Sequence, residues 1–230
     1  MLSKEDENFL KTYNANDYEH PSVTVDMLIF TIEENKLKLM LIKRKKPPYK
    51  DHWAIPGGFV NIDESVTIAA KRELKEETNV DAGGYLYQFS VYGEVNRDPR
   101  TRVISIAYLA LIPETTLTYQ GICAGDDAKE VQFFDIDNLP EQLAFDHATI
   151  IKDGLNCLRE RSKYSDIAFN LLPCEFTMHE IQKVYEAILG YTLDNSNFRR
   201  TIRTKFNLED TGKKKHVYQR PAKIYRRKDA

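Results

Sequence analysis

The 230-residue chain is poor in cysteine and has no long apolar run. Cys123, Cys157 and Cys174 are odd in number and widely separated, which excludes a fully paired disulfide framework and a closely spaced zinc site. No apolar stretch approaches the roughly 18–20 residues that a membrane-spanning helix needs. The opening stretch MLSKEDENFL is acidic and polar, unlike a secretory signal peptide. These features predict a cytoplasmic protein with free thiols and no membrane partner.

The chain also lacks an internal repeat, a low-complexity linker and a strong net charge, which is −2. The charge is nevertheless unevenly distributed. Residues 176–230 hold 13 Lys+Arg and 6 Asp+Glu, a balance of +7, which leaves 20 and 29, a balance of −9, for residues 1–175. An acidic body with a basic C-terminal fifth predicts two modules with different partners.

Several β-rich runs surround one acidic helix in the first two thirds of the chain. The runs SVTVDMLIFTI and LKLMLIKR are separated by EENK, which predicts a hairpin. Three later runs, GGYLYQFSVYGEV, RVISIAYLALI and EVQFFDI, predict further strands. The pattern indicates an α/β domain over residues 1–145, with residues 1–20 as a loose arm. Asp146 is the expected N-cap of a connecting helix over residues 146–164.

The acidic helix has an unusual distribution of charge. On a helical wheel its apolar stripe of Val and Ala continues into Glu73 and Glu77, with Glu76 at the edge. Directing carboxylates into a protein is costly unless a positive charge faces them. Arg72 is placed to pair with Glu76, which leaves Glu73 and Glu77, one turn apart, to share a hard cation such as Mg²⁺. The alternative is a solvated acidic helix end.

The basic tail carries the start and stop signals of two short helices. Thr177 and Glu180 form a capping box, and Gly190 stops the helix that follows. Asp194 is placed to cap a second helix, NSNFRRTIRTKF. The stretch LEDTGKKKHVYQRPAKIYRRK then predicts two short strands around a basic loop. Two helices followed by a basic hairpin predict a winged helix-turn-helix over residues 165–230.

The second helix of the tail is expected to read DNA. Its apolar residues Phe198, Ile202 and Phe206 recur at every fourth position and bury one face. The opposite face and the basic loop would meet phosphates and base edges. The predicted DNA-binding residues are Ser196, Arg199, Arg200 and Arg203 on the helix and Lys213, Lys214, Lys215 and Arg220 in the wing. The alternative is a solvated basic helix beside a frayed tail.

Residues 57–80, GGFVNIDESVTIAAKRELKEETNV, resemble the Nudix box. The box pattern places a Gly at 58, a Glu at 64 and Arg-Glu-apolar-any-Glu-Glu at 72–77, and all of these are present. The one departure is Asn79, where the pattern has a glycine in a left-handed conformation, for which Asn is the next-best residue. The resemblance implies a Nudix α/β/α sandwich. It also implies hydrolysis of a nucleoside diphosphate linked to another group.

The resemblance assigns roles to individual residues. It implies that Glu73 and Glu77, assisted by Glu76 and the Gly58 carbonyl, hold Mg²⁺ or Mn²⁺. Arg72 would orient these acids and Glu64 would hold Arg72. The general base comes from outside the box, where Glu130 and Asp127 remain alternatives. The predicted substrate-binding residues are Gly57, Gly58 and, from the stretch RDPRTR, Arg100 and Arg102, although surface arginines explain the last two equally well.

The resemblance extends along nearly the whole chain after residue 20. A Nudix domain followed by LAFDHATII, AFNLLP, FTMHEIQKVYEAILG and NFRRTI is similar to the Nudix-related regulators of the NrtR type. Those regulators sense ADP-ribose with the Nudix domain and bind operator DNA with the winged helix, commonly to control NAD synthesis or pentose use. Many have lost catalytic carboxylates, which this sequence retains. We therefore expect a homodimeric, ligand-responsive regulator that also hydrolyses its effector slowly.

Two alternatives remain open on the sequence alone. One is an ADP-ribose pyrophosphatase whose tail serves only assembly. The other is a regulator whose Nudix-like cavity responds to an unrelated sugar. The basic helix favours a regulator over a pure enzyme, and the complete box favours retained hydrolysis over a pure sensor.

Overall fold

The chain folds into a mixed sheet with helices on both faces, followed by a small module of helices and strands. The computed structural model describes residues 2–79, 85–120, 128–217 and 220–228, without the side chains of residues 77, 78, 118–120, 216, 217 and 220. The helices are α1 (Lys4–Thr12), α2 (Val66–Thr78), α3 (Glu114–Gln120), α4 (His147–Tyr164), α5 (Met178–Leu189) and α6 (Asn195–Lys205). The strands are β1 (Ser22–Glu33), β2 (Lys36–Arg44), β3 (Trp53–Ala54), β4 (Gly57–Phe59), β5 (Tyr85–Tyr92), β6 (Val103–Leu111), β7 (Ala128–Asp135), β8 (Phe176–Thr177), β9 (Leu208–Val217) and β10 (Arg220–Arg227).

The large sheet is built on the predicted β1–β2 hairpin. Its turn residues Glu34 and Asn35 both have positive φ, which matches the twist of a tight hairpin. The strand order is β3-β2-β1-β6-β5, with β4 also on β1 and β7 also on β2. Only four residue pairs join β1 to β2 before the strands diverge, and the β3–β4 segment then pairs with both of them. This insertion places the Gly57–Gly58 pair beside the first half of β1.

The two faces of the sheet pack against different helices. Alternate β1 residues, such as Met27 and Ile29, pack with α2, whereas Leu28 and Phe30 face α4. The alternation follows from the two-residue period of a strand. A mixed sheet between helices on both faces confirms the predicted α/β/α sandwich.

The C-terminal module is a winged helix. It follows the order β8-α5-α6-β9-β10, and β8, β10 and β9 form a three-stranded sheet. The predicted caps are present: Thr177 and Glu180 form a reciprocal capping box, Gly190 adopts φ 79°, and Asp194 accepts a 2.8 Å hydrogen bond from the third residue of α6. Each cap satisfies backbone groups that a helix end leaves unpaired. Local sequence signals therefore specify this module well.

Residues 1–20, the predicted loose arm, contain α1, which begins with a Ser3–Asp6 capping box and has no buried residue. One expectation about secondary structure is wrong. Lys213, Lys214 and Lys215 lie within β9 rather than in a loop, because the register Lys215↔Ala222 extends β9 and β10 beyond them. The wing is therefore a longer hairpin than the sequence suggests.

The sandwich and the winged helix share a continuous apolar core. One cluster of buried side chains includes Leu28 and Leu39 of the sheet, Ile150 of α4, Ile181 of α5 and Tyr225 of β10. Helix α4 runs into a short 3-10 helix, Ile167–Leu171, and α5 contacts β2 directly. In the part of the chain that the structure describes, no helix combines the length and apolarity needed to cross a bilayer.

Helix α4 packs unusually close to the sheet. A Cβ atom at Gly154 would overlap Leu28 Cδ1 and lie 3.1 Å from the ring of Phe89 and 3.3 Å from Leu109. Only glycine allows the helix backbone to approach the strands this closely. Movement of α4 therefore has to occur against a tightly fitted surface.

Candidate functional site

Helix α2 is held by its two ends and by its buried stripe. The Ser65 hydroxyl caps the N-terminus, and Asn79 ends the helix in the left-handed conformation, with φ 57°. Ala70 and Leu74 are fully buried against the sheet. This packing fixes the rotation of α2 about its axis. As a result Glu73, which follows the buried stripe, is directed to the edge of the sheet beside β4.

Arg72 is the centre of the acidic cluster. Its Nη2 and Nε donate to both carboxylate oxygens of Glu64 at 2.5 and 3.1 Å, and Nη1 donates to Glu73 at 2.7 Å and to Glu76 at 3.0 Å. Nη2 also donates to the Phe59 carbonyl. The expected pairing with Glu76 is present, but the expectation that Glu73 lacks a partner is wrong. The planar guanidinium has enough donors to bind three carboxylates at once.

The cluster retains excess negative charge. Glu64, Glu73 and Glu76 carry three negative charges against the single charge of Arg72, which leaves two. Hydrogen bonds from Arg72 lower the pKa of Glu64 to about 2, whereas burial raises the pKa of Glu73 despite the same arginine. Hard oxygen ligands with two uncompensated charges suit a divalent cation. Among the side chains that are described, however, no three acidic, His or Cys groups converge on one ion position.

Gly57 and Gly58 allow the cluster to lie directly against β1. They pair with Asp26 and Val25, and a Cβ at Gly57 would overlap the Val25 carbonyl. A Cβ at Gly58 would overlap the Glu73 carboxylate. The two predicted glycines are thus required for the close approach of backbone to strand and to acid.

The acidic cluster forms one wall of a cavity of about 840 Å³. The opposite walls come from the end of β2 and the loop after it, from the loop between β5 and β6, and from the start of α4. The lining residues are Thr24, Asp26, Ile42, Arg44, Lys45, Lys46, Pro47, Ile55, Gly57, Gly58, Phe59, Asn61, Arg72, Glu73, Glu76, Arg97, Asp98, Arg100, Val103, Phe145 and His147. The cavity is therefore acidic at the α2 side and basic across from it.

Arg100 is a fixed cation at the basic side. Asp98 is buried and accepts three hydrogen bonds from Arg100, from the backbone N–H, Nε and Nη2, at 2.7–3.0 Å. The guanidinium lies 5.3 Å from the ring of Phe59 and 5.7 Å from that of Phe145, and 42% of the side chain is exposed. This predicted substrate residue lines the cavity. Arg102 does not, because its Nη1 donates to the Glu94 carbonyl instead.

Arg97 is a second cation of the same loop and is almost fully buried. Its Nε and Nη2 donate to the two oxygens of Asp146 at 2.8 and 2.7 Å, and Nη2 lies 3.3 Å from Asp26. Ser105 donates a short 2.5 Å hydrogen bond to the same Asp26. Asp146 therefore does not cap α4 as predicted, because its carboxylate is bound to Arg97 and makes no hydrogen bond to the helix.

The residues on either side of Asp146 also line the cavity. His147 is buried, and its Nδ1 accepts a 3.0 Å hydrogen bond from the Ile55 N–H. Burial lowers the pKa of His147, so the ring is neutral and carries its proton on Nε2, 4.0 Å from Asp26. Phe145 adopts a left-handed φ of 50° and packs against Tyr49 and the Arg44 guanidinium. The start of α4 is thus part of the cavity wall.

Sequence reasoning missed Asp26, Arg97, Asp98 and Phe145. A usable signal existed for Asp26, which is an acid within an otherwise apolar strand. Glu130, one of the two candidate general bases, lies on β7 with its side chain half exposed and 3.8 Å from Lys43, and it does not line the cavity. Asp127, the other candidate, falls outside the described residues. Glu77 lies on α2, but its side chain is not described.

The exposed face of α6 carries most of the predicted DNA contacts. Phe198 and Ile202 are buried, which leaves Ser196, Arg199 and Arg200 exposed on the other side. Arg199 has no side-chain hydrogen bond or ion pair with the described residues, and among the same residues the Arg200 guanidinium donates only to Asn197 of its own helix. This face is therefore free to meet DNA.

Several of the remaining predicted DNA-binding side chains already bond to other residues of the chain. Arg203 of α6 donates to the Tyr225 hydroxyl at 2.8 Å. On β9, Lys213 pairs with Glu175 and Lys215 with Glu180, both at 2.8 Å or less. Lys214 is exposed and forms no ion pair within the described part of the chain. The Arg220 backbone begins β10, and its side chain is not described.

Comparison with known proteins agrees with both modules. The NUDIX domain family matches residues 21–154, and the NrtR DNA-binding winged helix domain family matches residues 168–227. The ADPR responsive transcriptional repressor NtrR of Acinetobacter baylyi is 36% identical over 220 residues, which cover 95% of this chain and 86% of that repressor. The match therefore spans both modules and the helix between them.

Two further proteins are similar to one or both modules. The ADP-ribose pyrophosphatase of Methanocaldococcus jannaschii is 46% identical over 144 residues, which cover 63% of this chain and 78% of that enzyme. The crystal structure of Shewanella oneidensis NrtR complexed with a 27mer DNA has a TM-score of 0.79 at 31% identity, covering 90% of this chain and 93% of that one. The chain belongs to the Nudix family and, within it, to the NrtR family, in which a Nudix domain is joined to a DNA-binding winged helix.

Proposed function

We propose that this chain is a DNA-binding transcriptional regulator whose affinity for its operator is lowered by ADP-ribose or a related nucleoside diphosphate sugar. It acts in the cytoplasm as a homodimer. The observation that carries the proposal is the continuous core that joins the Nudix cavity to the winged helix through α4. The similarity to an ADPR responsive repressor over 95% of the chain supports the same conclusion.

The cavity has the chemistry that such a ligand requires. A nucleoside diphosphate sugar presents an anionic pyrophosphate between two polar, partly planar groups. Arg100, fixed by Asp98 and partly exposed, supplies a preformed cation for a phosphate. Phe145, contacted by the Arg44 and Arg100 guanidinium groups, offers an aromatic surface near it. A volume of about 840 Å³ is in the range of small-molecule sites.

The acidic wall suits a divalent cation, which we propose to be Mg²⁺ or Mn²⁺. Glu73 and Glu76, together with Glu77 and the Gly58 carbonyl, would hold it, and Glu64 would keep Arg72 in place. When bound, the cation neutralises pyrophosphate charge and lowers the pKa of a coordinated water. The chain's own groups bind and orient the diphosphate between this wall and Arg100. We propose that the chain also hydrolyses the ligand slowly, with one water added across the pyrophosphate to give two phosphomonoesters.

The test of the regulator is a mobility-shift assay on fragments upstream of the gene and its neighbours. We expect a shift by the full chain at low salt, and release when ADP-ribose is added. The coupling between the two ligands is typically 5–150-fold. A folded protein that shifts no fragment contradicts the proposal. Release by a pentose but not by ADP-ribose would reassign the cavity to sugars.

Hydrolysis is the second candidate function, and the complete Arg72 cluster specifically favours it. We expect Mg²⁺-dependent formation of AMP from ADP-ribose, and we expect Glu73→Gln to reduce it by about 100-fold or more, because the half-buried carboxylate loses its charge. Glu130→Gln is the matched control, since Glu130 lies outside the cavity. Equal rates for wild type and Glu73→Gln would rule out the assigned site.

A further inference from the structure

Asp146 occupies a position at which two partners compete for one carboxylate. It is the N-cap residue of α4, and its carbonyl accepts the first helical hydrogen bonds, from Thr149 and Ile150. An Asp at this position normally also accepts through its side chain from one of the first N–H groups. Here the carboxylate instead holds Arg97 in a bidentate pair. The first turn of an 18-residue helix is thus left without its side-chain cap.

The backbone conformation of Asp146 agrees with a carboxylate that binds Arg97 instead of capping α4. Its φ and ψ are −95° and 17°, whereas a capping residue is normally extended. Ser65 and Thr177, which do cap their helices, have ψ near 155–160°. A change of Asp146 from Arg97 to the helix therefore requires rotation of the backbone at the start of α4. The two arrangements are discrete, because the carboxylate cannot satisfy both partners in one geometry.

Arg97 connects this choice to the cavity. The side chain is 5% exposed and lines the cavity, and its Nη1 has no hydrogen-bond partner among the described residues. A pyrophosphate bound beside Arg97 would compete with Asp146 for the guanidinium, since both are oxygen anions with suitable bidentate geometry. Phe145 and His147, on either side of Asp146, line the same cavity. A rotation at Asp146 would move both of them.

The far end of α4 contacts the winged helix. Arg159 donates to the Ile188 carbonyl at the end of α5, and Lys205 at the end of α6 donates to the Lys163 carbonyl. These two contacts fix α4 to both helices of the DNA-binding module. Movement at the start of α4 therefore reaches α6 through a rigid helix and two hydrogen bonds.

We propose that Asp146 exchanges between Arg97 and the N-terminus of α4, and that this exchange transmits ligand occupancy from the cavity to the winged helix. The ligand's pyrophosphate takes over Arg97, Asp146 caps α4, and the DNA-binding arrangement is lost. The inference rests on the proposed function, ADP-ribose-responsive DNA binding, and it identifies the contact that carries the response.

The test uses Asp146→Asn and Arg97→Gln, each in the Glu73→Gln background so that the ligand survives. The measured quantity is the ratio of operator dissociation constants with saturating ADP-ribose and without it, which is unchanged when a variant alters ligand affinity equally in the free and the operator-bound protein. Asn keeps the ability to cap a helix but cannot form the charged pair. We expect both variants to bind operator as weakly without ligand as their parent does with it, so that the ratio falls to within twofold of one.

Ligand affinity distinguishes the exchange from simple damage to the fold. Asp146→Asn frees Arg97, so ADP-ribose should bind more tightly in the absence of DNA. Arg97→Gln removes the cation, so ADP-ribose should bind more weakly. Shifts in the same direction for both variants would overturn the proposal. If Asp146→Asn does not fold, as judged by circular dichroism, the response ratio of Arg97→Gln alone decides.

Lys152→Gln is the matched control. It removes a charge from the exposed face of α4, at a residue that does not line the cavity. We expect its ligand affinity and its response ratio to stay at the parent values. If the parent responds to ADP-ribose and both test variants have the same response ratio as the parent, the proposed exchange is wrong while the proposed regulator function stands. If the parent itself does not respond to ADP-ribose, the proposed function fails and the exchange fails with it.

Discussion

His147 shows how a single buried residue makes stability depend on pH. Its pKa is lowered by burial, and the neutral ring accepts the Ile55 N–H. In the unfolded chain a histidine has a pKa of about 6.5. Below that pH the unfolded state binds a proton that the folded state resists, so the free energy of unfolding decreases as the pH falls.

We therefore predict that His147→Gln flattens the acid side of the stability profile. The Gln oxygen can still accept from Ile55 but does not titrate. Urea unfolding between about pH 8 and pH 5 should show wild-type stability falling relative to the variant below about pH 6.5, with a slope of up to about 1.4 kcal/mol per pH unit. Parallel profiles would show that His147 titrates normally.

At the residue scale, what could be predicted from the sequence depended on distance along the chain. The Arg72–Glu76 pair was predictable because the two residues lie four positions apart, and the resemblance to the Nudix box supplied Glu64, whereas the pair with the adjacent Glu73 was missed. The Arg97 pairs were not predictable, because Asp146 is 49 and Asp26 is 71 positions away. Chain topology, rather than any local pattern, brings those groups together. For the same reason the sequence predicted Asp146 as a helix cap, because Arg97, which binds its carboxylate instead, is 49 positions away.

At the scale of elements, helix ends were predictable and strand pairings were less so. Gly190 and Asn79 end their helices in left-handed conformations, the first expected from its residue type and the second from the resemblance to the Nudix box. The insertion of β3 and β4 between the diverging β1 and β2 had no local signal, since β3 has two residues and β4 three. The length of the wing hairpin was underestimated because lysines are common in loops and on exposed strands alike.

The close fit of α4 leads to a stability prediction. Gly154→Ala gains up to about 1 kcal/mol in helix propensity. The new methyl group, however, overlaps Leu28 and crowds Phe89 in a packed core, which costs about 1–3 kcal/mol. We expect net destabilisation in urea unfolding, with Lys152→Ala on the exposed face of α4 as the control. A more stable Gly154→Ala would mean that α4 can lift from the sheet at little cost.

The exposed face of α6 leads to a specificity prediction. Arg199 has no internal partner among the described residues, so Arg199→Ala should remove a DNA contact without disturbing the fold. We expect a loss of about 1–3 kcal/mol in operator affinity and relaxed preference at one base pair. Competition mobility shifts with single-base operator variants measure both effects. Lys11→Ala, in the exposed helix α1, should bind like wild type, and equal loss in both variants would argue against base reading.

For the whole molecule, the two predicted modules are less separate than the charge asymmetry suggests. Their different charges mark different partners, and both modules are present. The contact between their apolar side chains was not predicted, because hydrophobic periodicity identifies buried faces but not what covers them. The shared core means that the free energies of the two modules are linked. In thermal unfolding of the full chain, the two modules should accordingly unfold together.

The state of assembly is a prediction at the same scale. One α6 helix reads only a few base pairs, and a two-fold dimer doubles the contacts and fixes half-site spacing at about one or two helical turns. Analytical ultracentrifugation should therefore give a homodimer, and footprinting should give a palindromic site. A monomer bound to a single half-site would contradict this expectation.

The ion pairs of the wing determine how operator binding depends on salt. A lysine that binds a phosphate releases a cation condensed on the DNA, but Lys213 and Lys215 must first leave Glu175 and Glu180. Each carboxylate that has lost its lysine then takes up a cation from solution, so moving a paired lysine to a phosphate releases almost no ions in total. The slope of log K against log salt should therefore count the unpaired Arg199, Arg200 and Lys214, at about 0.9 per contact, and not the paired lysines. Glu175→Gln should steepen that slope by about 0.9. A regulator built this way holds its operator over a wider range of ionic strength than its number of basic residues implies.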